Sequence, residues 1–232
     1  MKFVFIVAAY NVSKWVKINL DSIFNQTYKN FRVIYVDDCS TDNTRELLSY
    51  DIQLIVNEKR VYQTYSRWVA YHMCEDDEIC VMVDGDDWLI DNYVLEYLNF
   101  LYKENDILCT YGQFKLYDGF IKNEIYATRQ YPYNIRYRQY EFIAYHLRTG
   151  YARLFKAIPV EYLMYNNKWL DRCSDMAEML CVLELSRGKT MNAFKPLYIY
   201  NKTNSLLYET SPFMDKNRKL YENYIRKLKP LN

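Results

Sequence analysis

The sequence predicts an α/β fold: a mostly parallel central sheet flanked by helices, with a small antiparallel and helical lobe attached. Two observations lead there. In the N-terminal half, short apolar runs alternate with amphipathic stretches, the pattern of βα units feeding a parallel sheet. Acidic and hydroxyl residues crowd where those runs stop, as expected at the carboxyl edge of an open sheet, where ligands bind.

Lys2 to Ala8 (KFVFIVA) reads as the first buried strand. Tyr10-Asn11 follows as a turn, Ser13 as a helix N-cap, and then a helix whose apolar positions Trp15, Val16, Leu20, Ile23 and Phe24 recur at helical spacing. A second strand, Phe31 to Val36, runs into Asp37-Asp38-Cys39-Ser40-Thr41-Asp42-Asn43-Thr44, with a helix starting near Asp42 that Asp38 is placed to cap. Arg67 falls on an amphipathic helix ahead of the third apolar run, Ile79-Cys80-Val81-Met82-Val83. After a strand from Ile107 to Tyr111, Asp118-Gly119 between two apolar segments signals a hairpin. Asp175 opens a helix with apolar Met176, Met179, Leu180 and Leu183, which ends near Arg187 at Gly188. Thr190 to Phe194 and Leu197 to Tyr200 read as strands, and Asp215 to Lys229 as a basic terminal helix with Leu220, Tyr224, Ile225 and Leu228 on one side.

The third run ends in Asp84-Gly85-Asp86-Asp87. Three carboxylates so close repel one another, and a fold that sets them at a strand end neutralises them with a bound cation, itself a handle for phosphate. The alternative is a solvated acidic turn. Both acidic clusters, Asp37/Asp38 and Asp84 to Asp87, fall on one edge of the predicted sheet.

Ala8-Ala9-Tyr10-Asn11, Ser22-Ile23-Phe24-Asn25-Gln26-Thr27-Tyr28, Val36 to Thr44, and Val83-Asp84-Gly85-Asp86-Asp87 follow one another at ordinary spacing. Together they resemble the successive signatures of the family 2 glycosyltransferases, inverting enzymes of the Rossmann-like GT-A fold. The resemblance is dense up to about residue 90 and scattered beyond. It implies that Asp38 meets a nucleotide base, with the backbone near Ala8 and the ring of Tyr10 beside it. It further implies that Asp84 faces the ribose and that Asp86 binds Mg²⁺ or Mn²⁺, with Asp87 assisting or shaping the loop. Arg67 matches an arginine that the family often places before the acidic strand, a fixed cation beside the nucleotide; Arg60 competes for that role. The residue types suit the task. Carboxylates accept from a uracil N–H or a ribose hydroxyl, and a hard cation takes oxygen ligands, bridges phosphates and offsets charge on a departing diphosphate.

Inversion by single displacement also needs a carboxylate near the acceptor hydroxyl. Asp175 is the candidate, with Asp171 and Glu178 as rivals; where the family often carries an acidic pair, Ser174 stands before Asp175. An aspartate in a first helical turn also complements the helix dipole. Many relatives place a histidine after the last strands. This chain has Asn201-Lys202-Thr203-Asn204-Ser205 there, with Lys202 as a point charge for the diphosphate. The segment Tyr126 to Tyr151 is dense in tyrosine and arginine, a platform for the C–H faces of an acceptor sugar, although 26 tyrosines overall point to composition as the competing cause. Trp169, near Asp175, is the expected acceptor contact.

At 232 residues the chain makes one domain in two halves: a nucleotide-sugar-binding half, 1–112, and an acceptor-side half, 113–232, with the base and the terminal helix. A formal charge of +1 gives no electrostatic support for a nucleic-acid partner. Six scattered cysteines without a C-x-x-C pair point to reduced thiols in a cytoplasmic setting. No apolar run reaches the ~20 residues that span a bilayer, and Lys2-Phe3-Val4 begins a strand directly, so neither an anchor nor a signal peptide is expected. The terminal helix either packs on the body or lies on an anionic membrane surface. The reading is a metal-dependent inverting glycosyltransferase that moves a sugar from a nucleotide-sugar, expected to be a UDP-sugar, to a glycan or other hydroxyl acceptor. The alternatives are a silent nucleotide- or carbohydrate-binding module and a nucleotidyltransferase. The latter usually carries a Gly-rich basic loop where Ala8-Ala9-Tyr10-Asn11 stands.

Overall fold

The computed structural model describes residues 1–204 and 212–231, with side chains from 218 onward in the terminal helix. Ser205 and the side chain of Asp215 lie outside the described residues. In chain order the elements are β1 (Phe3–Ala9), α1 (Val16–Phe24), β2 (Phe31–Asp37), β3 (Gln53–Val56), α2 (Tyr62–His72), β4 (Ile79–Asp84), β5 (Trp88–Leu89) and α3 (Val94–Glu104). There follow β6 (Cys109–Tyr117), β7 (Ile121–Tyr126), β8 (Tyr145–Tyr151), α4 (Ala152–Lys156), β9 (Met164–Tyr165), β10 (Lys168–Trp169), α5 (Ser174–Leu185), β11 (Thr190–Asn201) and α6 (Pro212–Lys227).

The main sheet runs β3-β2-β1-β4-β8-β6-β11-β5, with β7 paired to β6. The first four strands are parallel; β8 enters antiparallel between β4 and β6, and β11 lies parallel to β6. Strand β1 is buried along its whole length because its apolar residues serve two cores. Val4 and Ile6, with Ile34, Val36, Cys80 and Met82, face α2, α4 and α5. Phe3, Phe5 and Val7, with Val33, Tyr35, Val81 and Val83, face α1 and α3. The result is a three-layer sandwich with the second half of the chain woven into the same sheet. The expected division at 112/113 falls inside β6.

Local differences from the sequence reading have local causes. Ser13 does not cap α1; its own N–H is bound by Asp42 Oδ2 (3.0 Å), and Thr44 Oγ1 takes the Val12 N–H (2.9 Å). The polar run after β2 thus serves the entrance to α1, and where a helix was expected near Asp42 there is only a 3₁₀ turn, Arg45–Leu47. The two strands read in 190–200 are one, β11. Its register slips between Asn192 and Pro196, where Phe194 adopts φ 56° and proline lacks an N–H, so the apparent gap is a bulge. The hairpin at Asp118-Gly119 forms, with Gly119 at φ 81°. Helix α6 packs on the body through buried Ile225 and half-buried Tyr221 and Tyr224, leaving Leu220 exposed. All six cysteines are free thiols; four are buried, and Cys39 and Cys173 are half-buried. Among the described residues no helix is long and apolar enough to cross a membrane.

Candidate active site

Parallel pairing sets Ala8 beside Asp84 and Ala9 beside Asp37, so the ends of β1, β2 and β4 form one edge. The acidic loop lies so close to β1 that a Cβ on Gly85 would stand 2.6 Å from the Ala9 Cβ; only glycine fits. Gly85 N–H in turn donates to Ala8 O (3.1 Å). Three polar residues fix the loop from below. Buried Asn19 donates from Nδ2 to Asp84 O (2.9 Å) and Asp87 O (2.7 Å). The Tyr198 hydroxyl donates to Asp87 Oδ2 (2.8 Å) and accepts from Asp84 N–H (3.0 Å). Asn201 donates from its backbone to Asp87 Oδ1 (2.7 Å) and from Nδ2 to Asp86 O (3.0 Å).

The three carboxylates therefore differ. Asp87 is buried with both oxygens engaged, and burial beside two other acids pushes its carboxyl well above the usual range. Its position is that of a loop-shaping residue more than of a ligand. Asp84 Oδ1 accepts from Arg67 Nη2 and Gln63 Nε2, each at 2.5 Å. Asp86 has no cationic partner among the described ion pairs and accepts from Asn204 Nδ2 at Oδ2 (2.8 Å). Burial and the neighbouring Asp84 push its carboxyl up to about 6, against the pull of Asn204. A carboxyl held that high is an anion short of positive charge. Its hard oxygens suit Mg²⁺ or Mn²⁺, which take one or two carboxylates and fill their shell with phosphate oxygens and water. Among the described residues no group of three or more His, Cys, Asp or Glu is placed to hold a metal alone.

Arg67 lies on the buried side of α2, between Asp84 and Glu178 (Nη1 to Oε2, 3.4 Å). Glu178 is fully buried, so it is closed to an acceptor, and its Oε2 also accepts from the Tyr71 hydroxyl (3.0 Å). Asp38 does cap a helix, but it is α2: its carboxylate accepts from Val61 N–H (2.9 Å), Tyr62 N–H (2.8 Å) and Asn57 Nδ2 (2.9 Å). Those bonds hold Tyr62 at φ 67°, a left-handed conformation unfavourable for a bulky residue. They leave about one acceptor position of the carboxylate for a ligand. The Arg60 guanidinium stacks on Tyr10, 4.0 Å from the ring centroid. Lys202 is exposed at the end of β11, its backbone N–H bonded to Tyr117 O (2.9 Å).

Asp175 stands in the first turn of α5, its side chain 39% exposed, with Oδ2 accepting from Arg148 Nη2 (3.0 Å). Next to it, Ser174 Oγ donates to Gln63 Oε1 (3.0 Å), so one amide joins the start of α5 to Asp84. The structure thus gathers Ala8, Asp38, Arg67, Asp84, Asp86 and Asp175 around the carboxyl edge. It does not bring Trp169 there. Its ring packs on Tyr65 (5.1 Å) and Trp68 (5.5 Å) of α2.

Asn19, Gln63 and Tyr198 were missed in the sequence, and Arg148 and Asn201, which fall in segments singled out there, were given no role of their own. Asn19 had a readable signal: it interrupts the buried stripe of Val16, Leu20 and Ile23 on α1, where a polar residue needs a partner. Gln63 and Arg67 share one face by four-residue spacing. Nothing local marks Tyr198 or Arg148.

A doubly covered, mainly parallel sheet with its acidic loop at the carboxyl edge belongs to the GT-A class of α/β folds. A profile of glycosyl transferase family 2 matches residues 4–163, and the chain belongs to that family. Among solved structures, residues 1–349 of S. aureus TarS in complex with UDP-GlcNAc share the fold at TM-score 0.67 and 20% identity, covering 99% of this chain and 68% of that one. The mannosyltransferase PcManGT from Pyrobaculum calidifontis, in complex with GDP-Man and Mn²⁺, gives 0.60 at 13% identity, covering 99% and 66%. Among curated proteins, the glycosyltransferase GlyA of Streptococcus pneumoniae serotype 4 is 31% identical over 98 residues, 40% of this chain and 14% of its own length. Escherichia coli WfgD, a UDP-Glc:α-D-GlcNAc-diphosphoundecaprenol β-1,3-glucosyltransferase, is 25% identical over 134 residues, 56% of this chain and 52% of its own length. The chain spans about half or less of the length of these two relatives.

Proposed function

We propose that this chain transfers a sugar from a nucleotide-sugar, with uridine diphosphate as the carrier, to an acceptor hydroxyl with inversion. The observation that carries the reading is the gathering of Ala8 and Asp84 by strand register and of Asp38 by its N–H bond to Ala9 O (2.8 Å) on one edge, with Asp86 beside them short of positive charge. The nucleotide complexes of TarS and PcManGT and the UDP-glucose named for WfgD support it.

In this reading the remaining acceptor position of Asp38 takes the base N–H, with Tyr10 against the base and the Ala8 backbone beside it. Asp84, held by Arg67 and Gln63, accepts from the ribose hydroxyls. Asp86 holds Mg²⁺ or Mn²⁺, and Asp87 keeps the loop in shape. The metal, when bound, offsets the charge on the departing diphosphate as a Lewis acid. Lys202 adds a point charge on the phosphate side. Asp175 accepts the proton of the attacking hydroxyl, with its exposed side turned to the acceptor. A sugar on a lipid diphosphate, the acceptor class in the name of WfgD, is the first acceptor to try.

Donor hydrolysis tests the reading without knowledge of the acceptor. Incubation of the chain with Mn²⁺ and a panel of UDP- and GDP-sugars is expected to release free nucleoside diphosphate from a UDP-sugar. A silent binding module would give thermal stabilisation by donor and no release. No stabilisation by any donor would refute the proposal.

A further inference from the structure

We infer that Arg148 is a positioning residue that fixes the Asp175 carboxylate for proton transfer and ties it to the acidic loop through His146 and Tyr198. The inference deepens the proposed role of Asp175 and rests on it.

Strand β8 is the antiparallel strand between β4 and β6, and its register sets Arg148 opposite Met82, two residues before Asp84. A guanidinium in that position is 3% exposed, and burying it is costly unless every part is used. It is used on three sides. Nε donates to Ala144 O (2.8 Å), Nη2 to Asp175 Oδ2 (3.0 Å), and Nη1 lies 3.5 Å from His146 Nδ1. Burial, then the charges of Arg148 and Arg67, push His146 well below its ordinary value, so the imidazole is neutral and its Nδ1 is free to accept. The same ring lies flat on Tyr198, with centroids 4.6 Å apart and planes at 12°. Tyr198 in turn binds Asp87 Oδ2 and the Asp84 N–H.

Asp175 needs such a hold because its side chain opens to solvent at the start of a helix, where an untethered carboxylate samples several rotamers. Arg148 removes that freedom. It occupies one carboxylate oxygen and leaves the other for the acceptor, while the backbone bond at Ala144 keeps the guanidinium itself from swinging. A lysine gathers its donors on a single nitrogen and lacks the planar fork by which Nε and Nη2 meet Ala144 O and Asp175 at once. Displacement of a reacting group by about 1 Å costs on the order of 100-fold in rate.

The test compares Arg148→Gln, Arg148→Lys, Asp175→Asn and the double variant Arg148→Gln/Asp175→Asn. The readouts are UDP release from the UDP-sugar the wild type hydrolyses fastest, UDP affinity by calorimetry, and melting temperature. Arg148→Gln and Arg148→Lys are expected to lower kcat by roughly 10- to 100-fold with UDP affinity within about twofold of wild type. In the Asp175→Asn background, Arg148→Gln is expected to cause no further loss, because residues acting through one another are not additive. Losses that multiply in the double variant would overturn the inference, as would loss of UDP affinity with kcat retained. If Arg148→Gln does not fold, Arg148→Lys, which keeps the charge, carries the same comparison in both backgrounds. Wild-type turnover by Asp175→Asn would refute the base assignment and this inference with it. Inactive Asp175→Asn beside fully active Arg148 variants would refute this inference alone.

Discussion

Replacement of Glu178 by glutamine is expected to stabilise the protein at alkaline pH and to leave it nearly unchanged in acid. Glu178 is fully buried; Oε2 is shared by Tyr71 and Arg67, and Oε1 has no partner. Burial raises its carboxyl from the ordinary 4.5 to about 7, although Arg67 and Tyr71 pull the other way. Between these two values the native state holds a proton that the unfolded chain has lost, so stability falls as pH rises. The contribution is fully present below pH 4.5 and is gone above pH 7. At ~1.4 kcal/mol per pH unit the full loss is about 3 kcal/mol. Glutamine resembles the protonated acid in shape and cannot ionise. Glu178→Gln should therefore match wild type near pH 4.5 and exceed it by about 3 kcal/mol at pH 8, or about 6–12 °C in melting temperature for a chain of this size. Urea denaturation of both proteins at several pH values measures this. A variant less stable than wild type at pH 8 would show that the Glu178 carboxylate gains more from Arg67 than it loses by burial, and the reasoning would fail.

Two further substitutions probe the loop. Gly85→Ala drives a methyl group into Ala9 and should cost about 1–3 kcal/mol, with weakened UDP binding, measured by thermal melting and calorimetry; an alanine variant with unchanged melting and affinity would mean the loop has room. Tyr198→Phe removes one donor from buried Asp87 and the acceptor of the Asp84 N–H, and should cost about 1–3 kcal/mol with a larger proportional loss of donor affinity than of secondary structure by circular dichroism. A phenylalanine variant with full donor affinity would remove Tyr198 from the support of the site.

The parts of the site legible in the sequence are those set by a strand and the residues directly after it. Ile79 to Val83 is a fully buried run, so Asp84 to Asp87 had to fall at its end, and the same logic placed Asp38 after β2. What remained hidden depends on contacts across the chain. Asp38 looks like a local cap but caps α2 from 23 residues away, through Val61, whereas Asp42 both accepts locally from the Thr44 N–H and serves the distant backbone of Ser13. Arg148 sits in a strand with no unusual pattern, and only the antiparallel entry of β8 brings it to Asp175. Trp169 was read by its closeness in sequence to Asp175, but the β9–β10 hairpin turns it onto Tyr65 and Trp68. The break in β11 was read as two strands because a bulge and a chain end carry the same residues, here Phe194 and Pro196.

Titration calorimetry of UDP into wild type and Asp86→Ala, each with Mn²⁺ and with chelator, decides whether Asp86 holds a metal that binds the diphosphate. Tight binding to wild type is expected only in the presence of Mn²⁺, and for Asp86→Ala the same weak binding in both conditions. Equal affinity of wild type with and without the metal, or an Mn²⁺ response that survives the loss of Asp86, would contradict it.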